Sequence, residues 1–295
     1  MELFRNANYD FLGRKWLFII PSLLLLAAGA ASLIANRGPR YAAEFTGGAV
    51  LDLKWNGTPP VERIRAALPG ASVVAAHDLS GSNEVLVSTA LAAGQGPAAI
   101  RQHIDAALSS SEAYTVRGFE SVGPQIGADL RNQAIYATAG ASAGMLVYIG
   151  LRFRWIYGAA AVLAVVHDTA LTIGLFSLTH REISLTVVAA LLTLIGYSMN
   201  DTIVVFDRIR ENRRLRPREA LARVVNDSIN QTLSRTVLTS GLTLLAALSL
   251  LLFGGAALHG FSFALTAGII VGTYSSIFVA SPILVAWEAR KGGVR

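Results

Sequence analysis

A bilayer core of about 30 Å needs about 20 mostly apolar residues per helix. Six stretches of this chain meet that length: residues 16–36, 133–151, 155–178, 183–206, 233–253 and 261–287. The remaining composition agrees with a membrane protein. Of the 295 residues, 53% are hydrophobic and only 15% charged, against about 25% charged in soluble domains. Disorder, a coiled coil and a small disulfide scaffold are thereby excluded. There are no cysteines, which removes disulfides, thiolate metal sites and cysteine nucleophiles and leaves the redox compartment undecided. The first stretch follows Arg14 and Lys15 as a signal peptide would. Its apolar run of about 20 residues exceeds the ~7–15 of a signal core, so it reads as an uncleaved anchor.

The net charge of +6 does not point to nucleic acid, because the basic residues sit between apolar runs. They set orientation instead. Arg5, Arg14 and Lys15 precede the first span, and Arg152 and Arg154 separate spans two and three. Arg208, Arg210, Arg213, Arg214, Arg216, Arg218 and Arg223 lie between spans four and five, and Arg290, Lys291 and Arg295 follow span six. The opposite links, 179–182 and 254–260, hold only Arg181. Residues 1–15, the loop 207–232 and residues 289–295 are therefore expected in the cytoplasm, and residues 37–132 on the far side.

That outer segment has eight basic and nine acidic residues and reads as a soluble domain. Strands are expected over 45–55, 72–77, 84–89 and 114–121, with a turn at 80–83 and helices over 61–68 and 97–108. A βαββαβ order predicts a ferredoxin-like split βαβ sandwich, a fold that carries many functions. His77, Asp78 and His103 read as surface or strand-end residues. No metal cluster, nucleophile triad or phosphate loop is visible, and no cofactor is expected.

Ionisable residues inside a bilayer cost roughly 2.5–3.5 kcal/mol and are functional candidates. In span four, Thr193, Tyr197 and Asp201 recur every four residues, with Ser198 beside the stripe and Asn200 preceding Asp201. Asp201 is either a carboxyl that gains and loses a proton, or a helix-end residue near the headgroups. In span five, Gln231, Arg235, Thr239 and Thr243 form a similar stripe, with Thr236 next to Arg235. Arg235 is either a charge that modulates Asp201 on the neighbouring helix, or an arginine snorkelling to the surface. In span three, His167 and Asp168 either extend a proton relay or are satisfied by interhelical hydrogen bonds. Being adjacent they point to different faces, which disfavours a metal site. Gly140 to Gly144 and Gly268 to Gly272 fit GxxxG, a close-packing pattern.

Several motifs resemble those of the SecF family, the smaller membrane subunits of bacterial SecD–SecF export complexes. Glu44–Phe45–Thr46–Gly47–Gly48 is similar to the family's Asp-Phe-Thr-Gly-Gly, and Val122–Gly123–Pro124–Gln125–Ile126–Gly127 to its motif before span two. Tyr148 with Arg152–Phe153–Arg154–Trp155, and His167–Asp168, match in order. The most specific match runs Gly196–Tyr197–Ser198–Met199–Asn200–Asp201–Thr202 and on through Phe206–Asp207–Arg208–Ile209–Arg210–Glu211–Asn212. Gln231–Thr232–Leu233–Ser234–Arg235–Thr236, Thr239–Ser240 and Gly272–Thr273–Tyr274–Ser275–Ser276–Ile277 complete it. Glu44 and Leu242 depart from the usual aspartate and threonine, and the role of the second position is thereby in doubt. The resemblance implies an α-helical integral membrane protein of the resistance-nodulation-division (RND) type. It would supply six transmembrane helices, with one periplasmic α+β domain between helices one and two. It implies the bacterial inner membrane, with SecD, the SecYEG channel, YajC and unfolded exported precursors as partners, and proton flow that drives outer-domain movement. Proton coupling then falls to Asp201 and Arg235, with Asn200, Tyr197, Ser198, Thr236, Thr239, His167 and Asp168 as supporting polar positions. Rival readings are a small-molecule or lipid efflux transporter and an intramembrane hydrolase using Asp168 and Asp201. No GxxxxGK[ST] sequence is present, so nucleotide use would belong to a partner.

Overall fold

The computed structural model describes residues 7–55, 57–68, 71–77, 83–89, 102, 114–152 and 155–292. The helix expected over 97–108 lies outside them except for residue 102, as do the turn residues 80–82, Arg5, Asp78, His103, Phe153, Arg154 and Arg295. In chain order the elements are α1 (Lys15–Ala35), α2 (Ala43–Thr46), β1 (Gly48–Trp55), α3 (Val61–Ala67), β2 (Ser72–His77), β3 (Asn83–Thr89) and β4 (Tyr114–Val122). There follow α4 (Pro124–Arg152), α5 (Trp155–Leu178), α6 (Leu185–Leu215), α7 (Leu221–Phe253), α8 (Gly255–Ser275), a π-turn (Ser276–Ala280) and α9 (Ser281–Gly292).

Among the described residues, six helices are long and apolar enough to cross a membrane: α1, α4, α5, α6, α7 and the continuous run from α8 into α9. Burial divides them. The apolar windows of α5, α6 and the α8–α9 run are 50%, 50% and 61% buried, whereas those of α1, α4 and α7 are 11%, 6% and 17%. The first three form the centre and the others lie around it. The helices outrun their apolar cores. The expected link 207–232 is largely helix, and only residues 216–220 separate α6 from α7. A bilayer limits how much of a helix is apolar and sets no limit on its continuation. Arg213 and Arg214 in the last turn of α6 complement its carbonyl end, and Arg216 pairs with Asp227 of α7 at 2.7 Å.

Small residues set the closest helix approaches. A Cβ on Gly29 of α1 would lie 2.7 Å from Gly174 Cα of α5. On α8, a Cβ on Gly272 would come within 2.9 Å of Ser198 Cβ of α6, and one on Gly268 would strike Leu194. Of the two GxxxG patterns, this one forms a packing seam, while Gly140 and Gly144 have open space around them. At the end of the bundle near the α6–α7 link, the chain before α1 is held to α7. Asn226 Oδ1 and Asn230 Oδ1 accept from the backbone N–H groups of Phe11 and Tyr9, both at 2.9 Å.

The outer domain is one antiparallel sheet in the order β2-β3-β1-β4. This is the strand order of a ferredoxin-like split βαβ sandwich. Alternation decides its two faces. Ala49, Leu51, Leu53 and Trp55 of β1 pack with Val73, Val85, Val87 and Ile64 of α3 into its core. Val50, Asp52, Leu86, Ser88 and Glu120 instead face a cleft of about 1110 Å³ against the ends of the membrane helices. On the bundle side this cleft is lined by Arg40, His180, Arg181, Glu182 and His259.

Burial pushes the Glu182 carboxyl above the ordinary glutamate range, and Glu44 adds to this, while Ser72 and Arg40 oppose it. The folded protein therefore holds this proton more tightly than the unfolded chain. Its contribution to stability is complete below the ordinary glutamate range and is lost as pH rises through the raised value. Thermal unfolding in detergent across that window should show stability falling with pH, and Glu182→Gln should flatten the slope.

Gly47, at the turn between α2 and β1, has φ +80°, a conformation costly for other residues. An added Cβ would also lie 2.6 Å from Pro124 Cα. Gly47→Ala should lower stability by about 1–3 kcal/mol, read as a reduced thermal midpoint, whereas Gly140→Ala on the open face of α4 should be nearly neutral.

Candidate functional site

Two carboxylates lie inside the bundle, and the helices treat them differently. Asp168 on α5 is 6% exposed. Its Oδ2 accepts from Ser198 Oγ of α6 at 2.5 Å and from Ser275 Oγ of α8 at 2.6 Å. Its Oδ1 lies 2.9 Å from His167 Nδ1, and His167 Nε2 lies 2.5 Å from Ser22 Oγ of α1. A carboxylate accepts only, so the proton on this side of the imidazole sits on Nδ1. The other ring nitrogen, Nε2, is held by Ser22 Oγ. One aspartate thus ties α1, α5, α6 and α8 together. The adjacent His167 reaches a different helix from Asp168, as neighbours on a helix must.

Asp201 on α6 is 2% exposed. Its Oδ2 accepts from Ser240 Oγ of α7 at 2.8 Å. Helices α6 and α7 run antiparallel, joined by their short link. Tyr197 is one turn from Asp201 toward the outer-domain end, and Thr236 is one turn from Ser240 toward the opposite end. Tyr197 Oη and Thr236 Oγ1 are buried with no hydrogen-bond partner among the described residues. Each of these residues stands one helical turn from the Asp201–Ser240 bond, Tyr197 on α6 and Thr236 on α7.

Arg235 makes no ion pair or hydrogen bond with the other described residues, and it stands on an exposed face of α7. Gln231, Thr239 and Thr243 share that face, and Asn200 and Thr193 are exposed on α6. Asp201 takes its hydrogen bond from Ser240, not from Arg235. Thr239 Oγ1 bonds back to Arg235 O at 3.0 Å. The sequence-derived residues thus separate into three groups. Asp168, His167 and Ser198 form the closed knot. Asp201, Tyr197 and Thr236 line the α6–α7 contact. Arg235, Asn200 and Thr239 stand on the open face.

Sequence reasoning did not single out Ser22, Ser240 or Ser275 as partners of the two carboxylates. Serines within apolar spans commonly bond the carbonyl four residues back, so a serine alone does not reveal a cross-helix role. Ser275 sits immediately before the π-turn, where an extra residue rotates the helix face. π-turns recur at functional sites. Pro282, just past it, supplies no N–H to the ladder. Two adjacent serines followed by Ser281–Pro282 are the sequence signal for that break.

Comparison with known proteins agrees with this architecture. A family model described as protein export membrane protein SecD/SecF, C-terminal, matches residues 103–290. The chain is 42% identical to the protein translocase subunit SecF of Koribacter versatilis, covering 99% of this chain and 95% of that protein. It is 41% identical to SecF of Calditerrivibrio nitroreducens, covering 96% of each. It is 41% identical to the longer SecDF of Thermus thermophilus, covering 97% of this chain and 39% of that one. The crystal structure of Thermus thermophilus SecDF, a translocon-associated membrane protein, superposes with a TM-score of 0.85 at 40% identity. A SecDF crystal structure in a super-membrane-facing form superposes with a TM-score of 0.73, also at 40% identity. In both, 98% of this chain aligns and spans 40% of the SecDF chain.

The two carboxylates should respond differently to substitution. Asp168→Ala leaves Ser198 and His167 without their partner, at about 1–3 kcal/mol for each orphaned group. Ser275 is spared because it also reaches Gly272 O at 3.1 Å. Asp201→Asn keeps an oxygen for Ser240 and should cost far less. Thermal unfolding of the two variants in detergent checks the order.

Proposed function

The chain belongs to the SecD/SecF family of protein-export membrane proteins, and on that premise we propose that it couples proton movement through its helices to late steps of protein export. It is a multi-pass membrane protein of the translocase-subunit kind, and its working form includes a SecD-type partner. The fused SecDF relatives support this pairing, since there both parts lie on one chain. The open face of α6 and α7 is the surface that the partner covers. It carries Arg235, which makes no ion pair with the described residues, a charge that a lipid environment disfavours and that a partner's polar residues would satisfy.

The arginine distribution supports a topology with both termini and the α6–α7 link in the cytoplasm of a bacterial inner membrane, and the sheet domain in the periplasm. The SecYEG channel, YajC and unfolded precursors are the remaining partners. The sequence carries no GxxxxGK[ST] motif, and in this reading the energy comes from the proton gradient, with any nucleotide use belonging to a partner.

The observation that carries the proposal is the Asp201–Ser240 bond, a buried carboxylate held by a single serine, with buried partnerless hydroxyls at Tyr197 and Thr236 one turn away along each helix. A carboxylate so lightly held is equipped to gain and lose a proton, and the two hydroxyls are candidates for passing it on. Asp168 is saturated by its neighbours and serves as the fixed post against which α6 moves. Moving one charge across 100 mV is worth about 2.3 kcal/mol, enough to bias two conformations that differ by a few kcal/mol. Protonation of Asp201 weakens its hold on Ser240 and its attraction for Arg235, and α6 and α7 shift against each other.

The test is gradient-dependent export into vesicles containing SecD, SecYEG and this chain. Asp201→Asn should assemble and lose the gradient-dependent part. Tyr197→Phe and Thr236→Val should each reduce it by about fivefold, the worth of one hydrogen bond. A full gradient response in Asp201→Asn would remove Asp201 as the coupling group.

A further inference from the structure

The segment leading from α1 into the sheet is fastened to the start of α6, the helix that carries Asp201. Ile183 N–H donates to Arg40 O at 2.8 Å, and Ala42 N–H donates to Ile183 O at 3.0 Å. Two residues on, Glu44 Oε2 accepts from the backbone N–H of Leu185 at 2.8 Å. Leu185 is the first residue of α6, and its N–H is one of the donors a helix start leaves without an internal partner. A carboxylate is well suited to that position, because it adds a charge-assisted bond at the positive end of the helix. Ser184 serves Val187 N–H from within the chain at 3.3 Å, so the contact from Glu44 is additional to the ordinary cap.

The same segment has no slack on its other side. Phe45 is 3% exposed and packs into the cluster that holds Phe176, Ile183 and Val187. A Cβ on Gly127 of α4 would lie 2.9 Å from Phe45 O, and one on Gly48 would lie 2.5 Å from Thr89 O of β3. Gly48 opens β1, which pairs with both β3 and β4. Three residues therefore separate the hook on α6 from a central strand of the outer sheet. Along α6, Leu185 and Asp201 are sixteen residues apart, about 24 Å of unbroken helix.

We propose that the Glu44–Leu185 hydrogen bond is the joint through which displacement of α6 is transmitted to the outer domain. Glu44 is a positioning residue. It touches neither the proton nor the exported chain and acts by making β1 follow the start of the Asp201 helix. This rests on the reading of Asp201 given above.

The chain has no cysteine, so two can be introduced for spin labels, at Thr115 on β4 and Ala257 on α8. Both positions are exposed. Their separation is measured in the complex with a cysteine-free SecD, first with Asp201 intact and then with Asp201→Asn, whose amide mimics the protonated carboxyl. The expected result is a distance change on Asp201→Asn in the parent, retained in Glu44→Gln, which keeps an acceptor oxygen, and absent in Glu44→Ala. Leu185→Pro deletes the donor without touching Glu44. Proline suits the first helical position, and Ser184 before it is already extended, with ψ 173°. It should abolish the change as Glu44→Ala does, which keeps the test open should Glu44→Ala fail to fold. Both variants should reduce gradient-dependent export by about tenfold, the worth of one charge-assisted hydrogen bond. An undiminished distance change in Glu44→Ala or Leu185→Pro overturns the joint and leaves the role of Asp201 standing. No distance change on Asp201→Asn in the parent overturns both.

Discussion

A charge inside a hydrocarbon layer must be satisfied by its neighbours, because no water is at hand to do it. Asp168 meets that demand completely. Two serine hydroxyls and an imidazole from three helices close around its carboxylate, and the imidazole extends the network to a fourth. The packing around it follows from this. Gly272 allows α8 to lie close enough to α6 for Ser275 and Ser198 to share one oxygen, and the π-turn begins immediately after Ser275. Helices brought together by small residues acquire a fixed register at this point.

Asp201 offers the contrast that makes movement intelligible. It is as buried as Asp168 but receives one hydroxyl where Asp168 receives two and an imidazole. A saturated post and an undersatisfied one thus meet the same short stretch of α6, where Ser198 holds Asp168 and Asp201 follows within one turn. Cores rearrange between discrete packings more readily than they deform, and the contact with fewest bonds is where such a rearrangement begins.

The spans were legible because lipid imposes a length, and the strands because a half-buried sheet imposes alternation, clear in Leu51 and Leu53 against Val50 and Asp52. Helix ends were less so. The apolar count stops at Phe206, whereas α6 continues to Leu215 on charged residues with good helix propensity. Asp168 and Asp201 stood out as charges, but their partners Ser22, Ser240 and Ser275 did not, since serine is common in membrane helices. Arg235 and Asp201 can be placed at similar depth by counting residues. Counting does not say which way each side chain faces around its helix: Asp201 is buried against Ser240, while Arg235 stands on the exposed face of α7, near enough to act on Asp201 through its charge but without an ion pair. Spacing misled in the same way for glycine. Gly140 and Gly144 fit a pattern and touch nothing, while Gly29 and Gly174 fit none and meet.

The exposed arginine on α7 also bears on biosynthesis. Where that exposed face meets lipid, an uncovered cation costs roughly 2.5–3.5 kcal/mol on insertion scales. The same quantity favours covering that face and would distinguish uncovered copies from covered ones. Joining both halves on one chain, as in the SecDF relatives, makes that covering step intramolecular and raises the local concentration of the missing half. Where the halves are made separately, balanced synthesis and removal of orphan subunits must accomplish what the peptide link otherwise provides.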